Sequence, residues 1–270
     1  MALYGAPVWS AALERNSRAL AILRKAQRRA AIRVVRAYRT VSHPAATLLA
    51  GLPPIDIAAG IYAAMYDRVR ELREEGVIVT PAIRRTLRSQ MQEGMREEWR
   101  TRLGEPNSSG RRTVDAILPR LQEWLDRPWT RASYRTTQVL SGHGCFGEYL
   151  CRIGRDGTPR CNHCGGDRDT AQHTLQECPA WEEERRALVE VIGDDLSLNK
   201  VIEAIVEGEE GWEAFYKFCE GVMSSKESAE RERRGETNPQ DGAHGGRGAP
   251  PRRGRRRWTR RQPAHLRAWQ

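Results

Sequence analysis

Cys161-Asn162-His163-Cys164-Gly165-Gly166-Asp167-Arg168-Asp169-Thr170-Ala171-Gln172-His173-Thr174-Leu175-Gln176-Glu177-Cys178 is the stretch on which the reading of this chain turns. Its four donor residues, Cys161, Cys164, His173 and Cys178, are separated by two, eight and four residues. A Cys-x2-Cys turn delivers two thiolates from one tight knuckle, and a histidine and a third cysteine complete the tetrahedral set that Zn2+ prefers. Four protein ligands leave no open position, so the spacing predicts a structural zinc site and not a catalytic one. Asn162, His163, Gly165, Gly166, Asp167, Arg168 and Asp169 offer no apolar face against which free thiols could pack as small hydrophobes. His163, between the first two ligands, is expected to point outward. Cys145 and Cys151, flanked by Phe146, Tyr149 and Leu150, and Cys219, among Trp212, Phe215 and Phe218, read as core.

Working outward, the rest of the body reads as helical. Leu20, Leu23, Ala30, Val34, Val35 and Tyr38 recur at helical spacing across residues 17–39, and arginines and one lysine occupy the other faces. Ile57, Ile61, Met65, Val69 and Leu72 form a second stripe that stops near Gly76. Thr80 followed by Pro81 marks the start of a third helix, with Ile83, Leu87, Met91, Met95 and Trp99 repeating every four residues to Gly104. The run Gly104 to Gly110 is a loop, and Val114 to Leu125 form another helix. Beyond the knuckle, helices are expected around Leu188, around Val201 and Ile205, and from Trp212 to Val222. No alternating strand pattern and no internal repeat stand out. From about Ser224 the composition turns to Gly, Pro, Arg and Ser, which predicts a disordered Arg-rich tail.

Composition narrows the function. No apolar run approaches the roughly 18 residues that span a bilayer, and no secretory signal opens the chain. Cysteines clustered with a histidine speak for metal chemistry in a reducing compartment, nucleus and cytoplasm. The formal charge is +10, and it sits at the ends. Residues 1–39 carry nine Lys/Arg and one Glu, residues 226–270 carry thirteen Lys/Arg and five acids, and the middle is net acidic. Basic ends of this kind suit phosphate backbones. The candidate nucleic-acid contacts are Arg24, Lys25, Arg28, Arg29, Arg33 and Arg36 on the first basic helix, and Arg168 in the knuckle. Trp258 and Trp269 in the tail are weaker candidates for base stacking.

Several stretches together resemble a known family. Tyr4-Gly5-Ala6-Pro7-Val8-Trp9, Gln27-Arg28-Arg29, Tyr38-Arg39-Thr40-Val41-Ser42 and Ala50-Gly51-Leu52-Pro53-Pro54 are similar to the region after the polymerase domain of non-LTR (LINE-type) retrotransposon reverse transcriptases. Gln138-Val139-Leu140-Ser141-Gly142-His143-Gly144-Cys145-Phe146 and the knuckle through Cys178-Pro179-Ala180-Trp181 resemble the arthropod elements that insert into ribosomal DNA. The resemblance covers about residues 3–223 and is most specific over 134–181. It implies a C-terminal fragment of a polyprotein whose endonuclease and reverse transcriptase precede it.

The catalytic residues of both enzymes are absent from this chain. The one Asp-Asp pair, Asp194-Asp195, reads as a helix entry or loop. His143 has no nucleophile and carboxylate to work with, and reads as packed beside the knuckle.

The fold class expected is therefore mostly α. It comprises a thumb-like helical remnant over 1–66, a helical connector over 67–128, a zinc-knuckle module with flanking helices over 129–223 and a disordered tail over 224–270. The resemblance implies binding of RNA or target DNA during target-primed reverse transcription. The partners it implies are nucleic acid and the upstream reverse transcriptase of the same polyprotein, with no membrane and no small-molecule substrate. The rival reading is a zinc-stapled protein-interaction module, favoured by the acidic middle with Glu182, Glu183, Glu184, Glu190, Glu207, Glu209 and Glu210.

Overall fold

In the computed structural model the described residues are 3–128 and 132–235. They are mostly α, with no strand among them. The chain divides at Glu230 into a large unit and a C-terminal stretch, Arg231–Gln270, of which only the first few residues are described. The Arg-rich sequence from residue 236 onward, Trp258 and Trp269 included, lies outside the described residues. No described helix is long and apolar enough to cross a membrane.

The N-terminal part is a set of helices packed on one another. α1 (Ala6–Glu14) packs on α4 (Ile55–Glu74), α2 (Ser17–Val34) on α3 (His43–Leu49), and α4 on α5 (Pro81–Leu103). Local chemistry explains the starts. The side chains of Asn16, Ser42 and Thr80 each accept a hydrogen bond from the backbone N–H three residues on, capping α2, α3 and α5. Pro44 and Pro81 sit in the first turns, where a missing N–H costs nothing.

The first basic helix is shorter than its periodicity predicts. It ends at Val34, and Arg36 takes φ 56, a left-handed conformation that breaks the helical path. The buried face of α2 is consequently Ala31, with Val35 just beyond it, while Val34 is 61% exposed.

α6 (Arg111–Ile117), α7 (Leu121–Asp126), α8 (Tyr134–Ser141) and α9 (Gly147–Arg152) then lead to the knuckle, and α10 (Glu182–Ile192), α11 (Leu198–Glu207) and α12 (Glu209–Arg233) follow it. One apolar cluster joins Leu48 and Trp99 from the N-terminal helices to Ile117, Phe146, Leu175, Ile202 and Phe215. The stretches 1–66, 67–128 and 129–223 all contribute to it. A smaller cluster, Ala31, Val41, Ala45 and Ala46, packs α2 against α3.

The expected change of character at Ser224 falls later, since α12 runs on to Arg233. Its buried stripe, Trp212, Phe215, Cys219, Val222 and Lys226, steps by three and four residues and carries the helix past that point. Lys226 is 1% exposed, and its partners belong to the knuckle.

Candidate metal centre

Donor atoms of Cys161, Cys164, His173 and Cys178 all lie within 4.8 Å of one another. The sequence-predicted quartet is thus brought together as a cluster that can hold a metal ion and is compatible with a zinc knuckle. The first two donors come from a closed turn: Gly165 N–H donates to Cys161 O at 2.8 Å, and Cys161 N–H donates to Gly166 O at 2.8 Å. Gly165 adopts φ 76, a conformation that a side chain disfavours, and this lets the chain fold back over the donors. Gly166 N–H donates to Cys164 Sγ at 3.4 Å.

The other two donors need an unusual helix. In an α-helix, residues five apart stand roughly 140° apart around the axis. His173–Glu177 instead forms a π turn, whose bonds run from residue i to i+5, and Cys178 N–H donates to His173 O at 2.7 Å. That widened turn brings His173 and Cys178 onto one side. Arg185 ties the turn down by donating to Leu175 O at 3.0 Å and to Cys178 O at 2.6 Å.

Facing donors pair off, with Cys161 Sγ 3.9 Å from Cys178 Sγ and Cys164 Sγ 3.3 Å from His173 Nε2. His173 Nδ1 lies 3.4 Å from the Glu177 carboxylate, which turns Nε2 toward the cluster, as outer carboxylates do for metal-binding histidines. Cys161 and Cys178 are buried, and burial pushes the Cys178 thiol up. At Cys164 burial acts the same way, but hydrogen bonding from Gly166 N–H and contacts with Cys161, His173 and Cys178 outweigh it and lower the thiol's pKa. His163 is turned onto Trp181, ring centroids 4.8 Å apart.

Sequence reasoning missed the support beneath the cluster. Asp169, 3% exposed, accepts from Gly147 N–H at 2.9 Å, from Thr174 Oγ1 at 3.2 Å and, on both oxygens, from Lys226 Nζ at 2.8 Å. Lys226 Nζ also donates to Thr174 Oγ1 at 3.1 Å, so the buried ammonium has three oxygen acceptors. Gly147 is required here for space: a Cβ on it would lie 2.3 Å from Arg160 O. The signal in the sequence was a lysine standing on the apolar stripe of α12.

A polar seam continues from the knuckle along α12. Arg135 donates to Glu220 at 2.7 Å and to Glu227 at 3.1 Å, and buried Gln138 donates to Glu227 at 2.7 Å. His143 is packed, as its sequence context suggested: it lies 2.9 Å from Thr40 Oγ1 and stacks on Tyr149 at 4.9 Å. Cys145 and Cys219 are buried, and Cys151 is partly so.

The nucleic-acid candidates separate into two groups. Arg24 donates to Asp56 at 2.7 Å, and Arg28 donates to Val41 O at 2.7 Å and to Arg39 O, so both hold the fold. Lys25, Arg29, Arg33 and Arg36 are exposed on α2 and its exit. Arg168 is exposed and donates to Glu148 at 2.7 Å.

Comparison with curated proteins gives the lineage. A Pol polyprotein from type-1 retrotransposable element R1 4 of Nasonia vitripennis is 30% identical over 213 residues, covering 77% of this chain and 54% of that protein. The chain is homologous to the polyproteins of arthropod R1 non-LTR retrotransposons. A putative 115 kDa protein in element R1DM of Drosophila melanogaster is 28% identical over 228 residues, 82% of this chain and 22% of that protein. The R1 Pol polyprotein of Bradysia coprophila is 27% identical over 193 residues, 67% of this chain and 18% of that protein. This R1-related chain therefore spans about half of the first relative and about a fifth of the other two. No family model and no solved structure matches it.

Proposed function

We propose that this chain is a nucleic-acid-binding segment of a retrotransposon polyprotein, folded around one structural Zn2+. The observation that carries the reading is a closed Cys3His cluster in a chain whose homologues are R1 polyproteins. Zinc fits the donor set. With Zn–S bonds of about 2.3 Å, a tetrahedral edge between sulfurs measures about 3.8 Å, and Cys161 and Cys178 stand 3.9 Å apart. Bound there by Cys161, Cys164, His173 and Cys178, the ion would supply cross-linking alone.

The protein's own groups would do the binding. Lys25, Arg29, Arg33 and Arg36 present cations along one helix and its exit, where they would meet phosphates and position a strand without reading its bases. Within a longer polyprotein, such a segment would hold RNA or target DNA near the polymerase during target-primed reverse transcription, and its working compartment would include the nucleus. A second reading, a protein-docking module, draws on the exposed acids Glu182, Glu183 and Glu184 that follow Cys178 at the start of α10.

Salt separates the two. Binding of a labelled single-stranded oligonucleotide is measured with zinc and with chelator, at two salt concentrations, for the full chain and for a chain ending at residue 235. The nucleic-acid reading expects zinc-dependent binding that survives loss of the tail, with a slope of roughly 0.7 log units per phosphate contact. Binding that disappears with the tail, or that ignores the metal, removes the function from this fold.

A further inference from the structure

Most of the partly or fully buried cations among the described residues have a carboxylate. Arg24 and Arg102 share Asp56, Arg135 has Glu220 and Glu227, and Lys226 has Asp169. Arg112 has none. Its Nε donates to Val139 O and its Nη1 to Gln172 Oε1, both at 3.3 Å, while Nη2 is buried without a partner. Burial alone governs its acidity, lowering its pKa to about 10, with no nearby anion acting against that. An uncompensated guanidinium held out of water is unfavourable unless something negative meets it.

Arg112 lines a cavity of about 330 Å³, which adjoins a second of about 340 Å³. Gly110, Ser141, His143, Tyr149 and Arg152 line both. Arg152 is exposed and rests over the Tyr149 ring at 5.2 Å. His143 between them is held neutral, its pKa lowered to about 4 by burial first and then by Arg152 and Arg28. The carboxylate on the wall, Glu148, is engaged by Arg168 at 2.7 Å. Thr170 and Ala171, which lead into His173, also line the cleft.

We infer that this double cleft seats a phosphodiester of a bound nucleic-acid strand, with Arg112 in its wall and Arg152 at its rim. The inference rests on the nucleic-acid reading above and gives it an address on the fold. Arg112 supplies a positive charge that the fold leaves without a counter-ion, and Arg152 supplies an exposed one that can reach the phosphate from solvent. Phosphate at this point would lie next to the knuckle, so metal loss should disturb the cleft through Thr170 and Ala171.

The test uses the zinc-loaded full chain with Arg112→Gln, Arg152→Gln and Arg152→Lys. The first readout is the melting-temperature rise caused by inorganic phosphate over chloride at equal ionic strength. The second is the salt slope for an eight-residue oligothymidylate. Wild type should be protected by phosphate, both glutamine variants should lose the protection, and Arg152→Lys should keep part of it. Each glutamine variant should also lower the slope by roughly 0.7. Arg112→Gln should melt no lower than wild type, because a buried unpaired cation is removed; a merely structural arginine would lower it.

Intact oligonucleotide binding with unchanged slopes in Arg152→Gln, an exposed site that tolerates substitution, overturns the cleft assignment and leaves the nucleic-acid reading standing. Phosphate protection without any oligonucleotide binding overturns both. A polyglutamate peptide that displaces the oligonucleotide from wild type, but not from Arg152→Gln, makes the cleft a site for acidic protein and also overturns the proposal.

Discussion

Asp56 and Asp169 are two carboxylates that hold distant parts of this chain together, and they do it under different conditions. Asp56 lies on α4 and takes Arg24 from α2 at 2.7 Å and Arg102 from α5 at 2.5 Å. Its side chain is 12% exposed, both arginines are about a third exposed, and its Oδ1 has no partner. Asp169 is sealed in, with both oxygens occupied and its cation 1% exposed. A carboxylate near water can lose a partner and be re-solvated, whereas one in the interior cannot. The difference locates the molecule's rigid point under the metal cluster and leaves the long N-terminal helices joined by a more forgiving contact.

Metal removal is the largest perturbation available to that comparison. Zinc binding supplies on the order of 10 kcal/mol in small zinc-folded units. Chelation, or Cys164→Ser, should strip amide-exchange protection from the 145–181 region while α4 and α5 stay protected. Equal loss in both regions would mean that the rigid point holds the whole molecule.

Removing one ion-pair partner at each carboxylate comes next. Lys226→Met leaves Asp169 buried and unpaired, at a cost of about 3–5 kcal/mol. Arg24→Met leaves Asp56 with Arg102 and access to water, at about 1 kcal/mol or less. Urea midpoints for the two variants should therefore differ several-fold in their displacement from wild type. Similar displacements would erase the distinction drawn here.

Acid gives the smallest expected effect. His43 and His143 both titrate near 4 in the fold, burial being the main cause at each, with Arg24 and Arg152 the next largest causes. Their ordinary value is about 6.5. Groups with depressed folded values contribute stability that is present above about pH 6.5 and lost as pH falls toward and through 4. His143→Gln should lose less stability than wild type between pH 7 and 5 in matched urea titrations. Parallel losses in the two proteins would remove His143 from the account.

Much of this was legible because local rules sufficed. The Thr80-Pro81 start declares itself through one cap and one proline, and the Cys161, Cys164, His173 and Cys178 cluster declares itself through spacing. What escaped the sequence was pairing at long range. Nothing within α2 distinguishes Arg24, which meets Asp56 thirty-two residues away, from exposed Lys25 beside it. Periodicity also overran the end of α2, because no glycine or proline announces the left-handed turn at Arg36. It underran α12, where Gly and Ser after Met223 suggested a tail while Lys226 was the next member of the buried stripe.

The bond between Lys226 and Asp169 also fixes an order of assembly. A chain made from its N-terminus exposes Asp169 to the solvent fifty-seven residues before its counter-ion exists. At about 5–20 residues per second that is an interval of roughly 3–11 s. Once Cys178 has been added, nine residues into that interval, the knuckle has all four donors but not its cation, so α12 acts as a latch that closes on a nascent module only when synthesis has passed residue 226. The arrival of Lys226, and not that of Cys178, is the event that completes the support of the site.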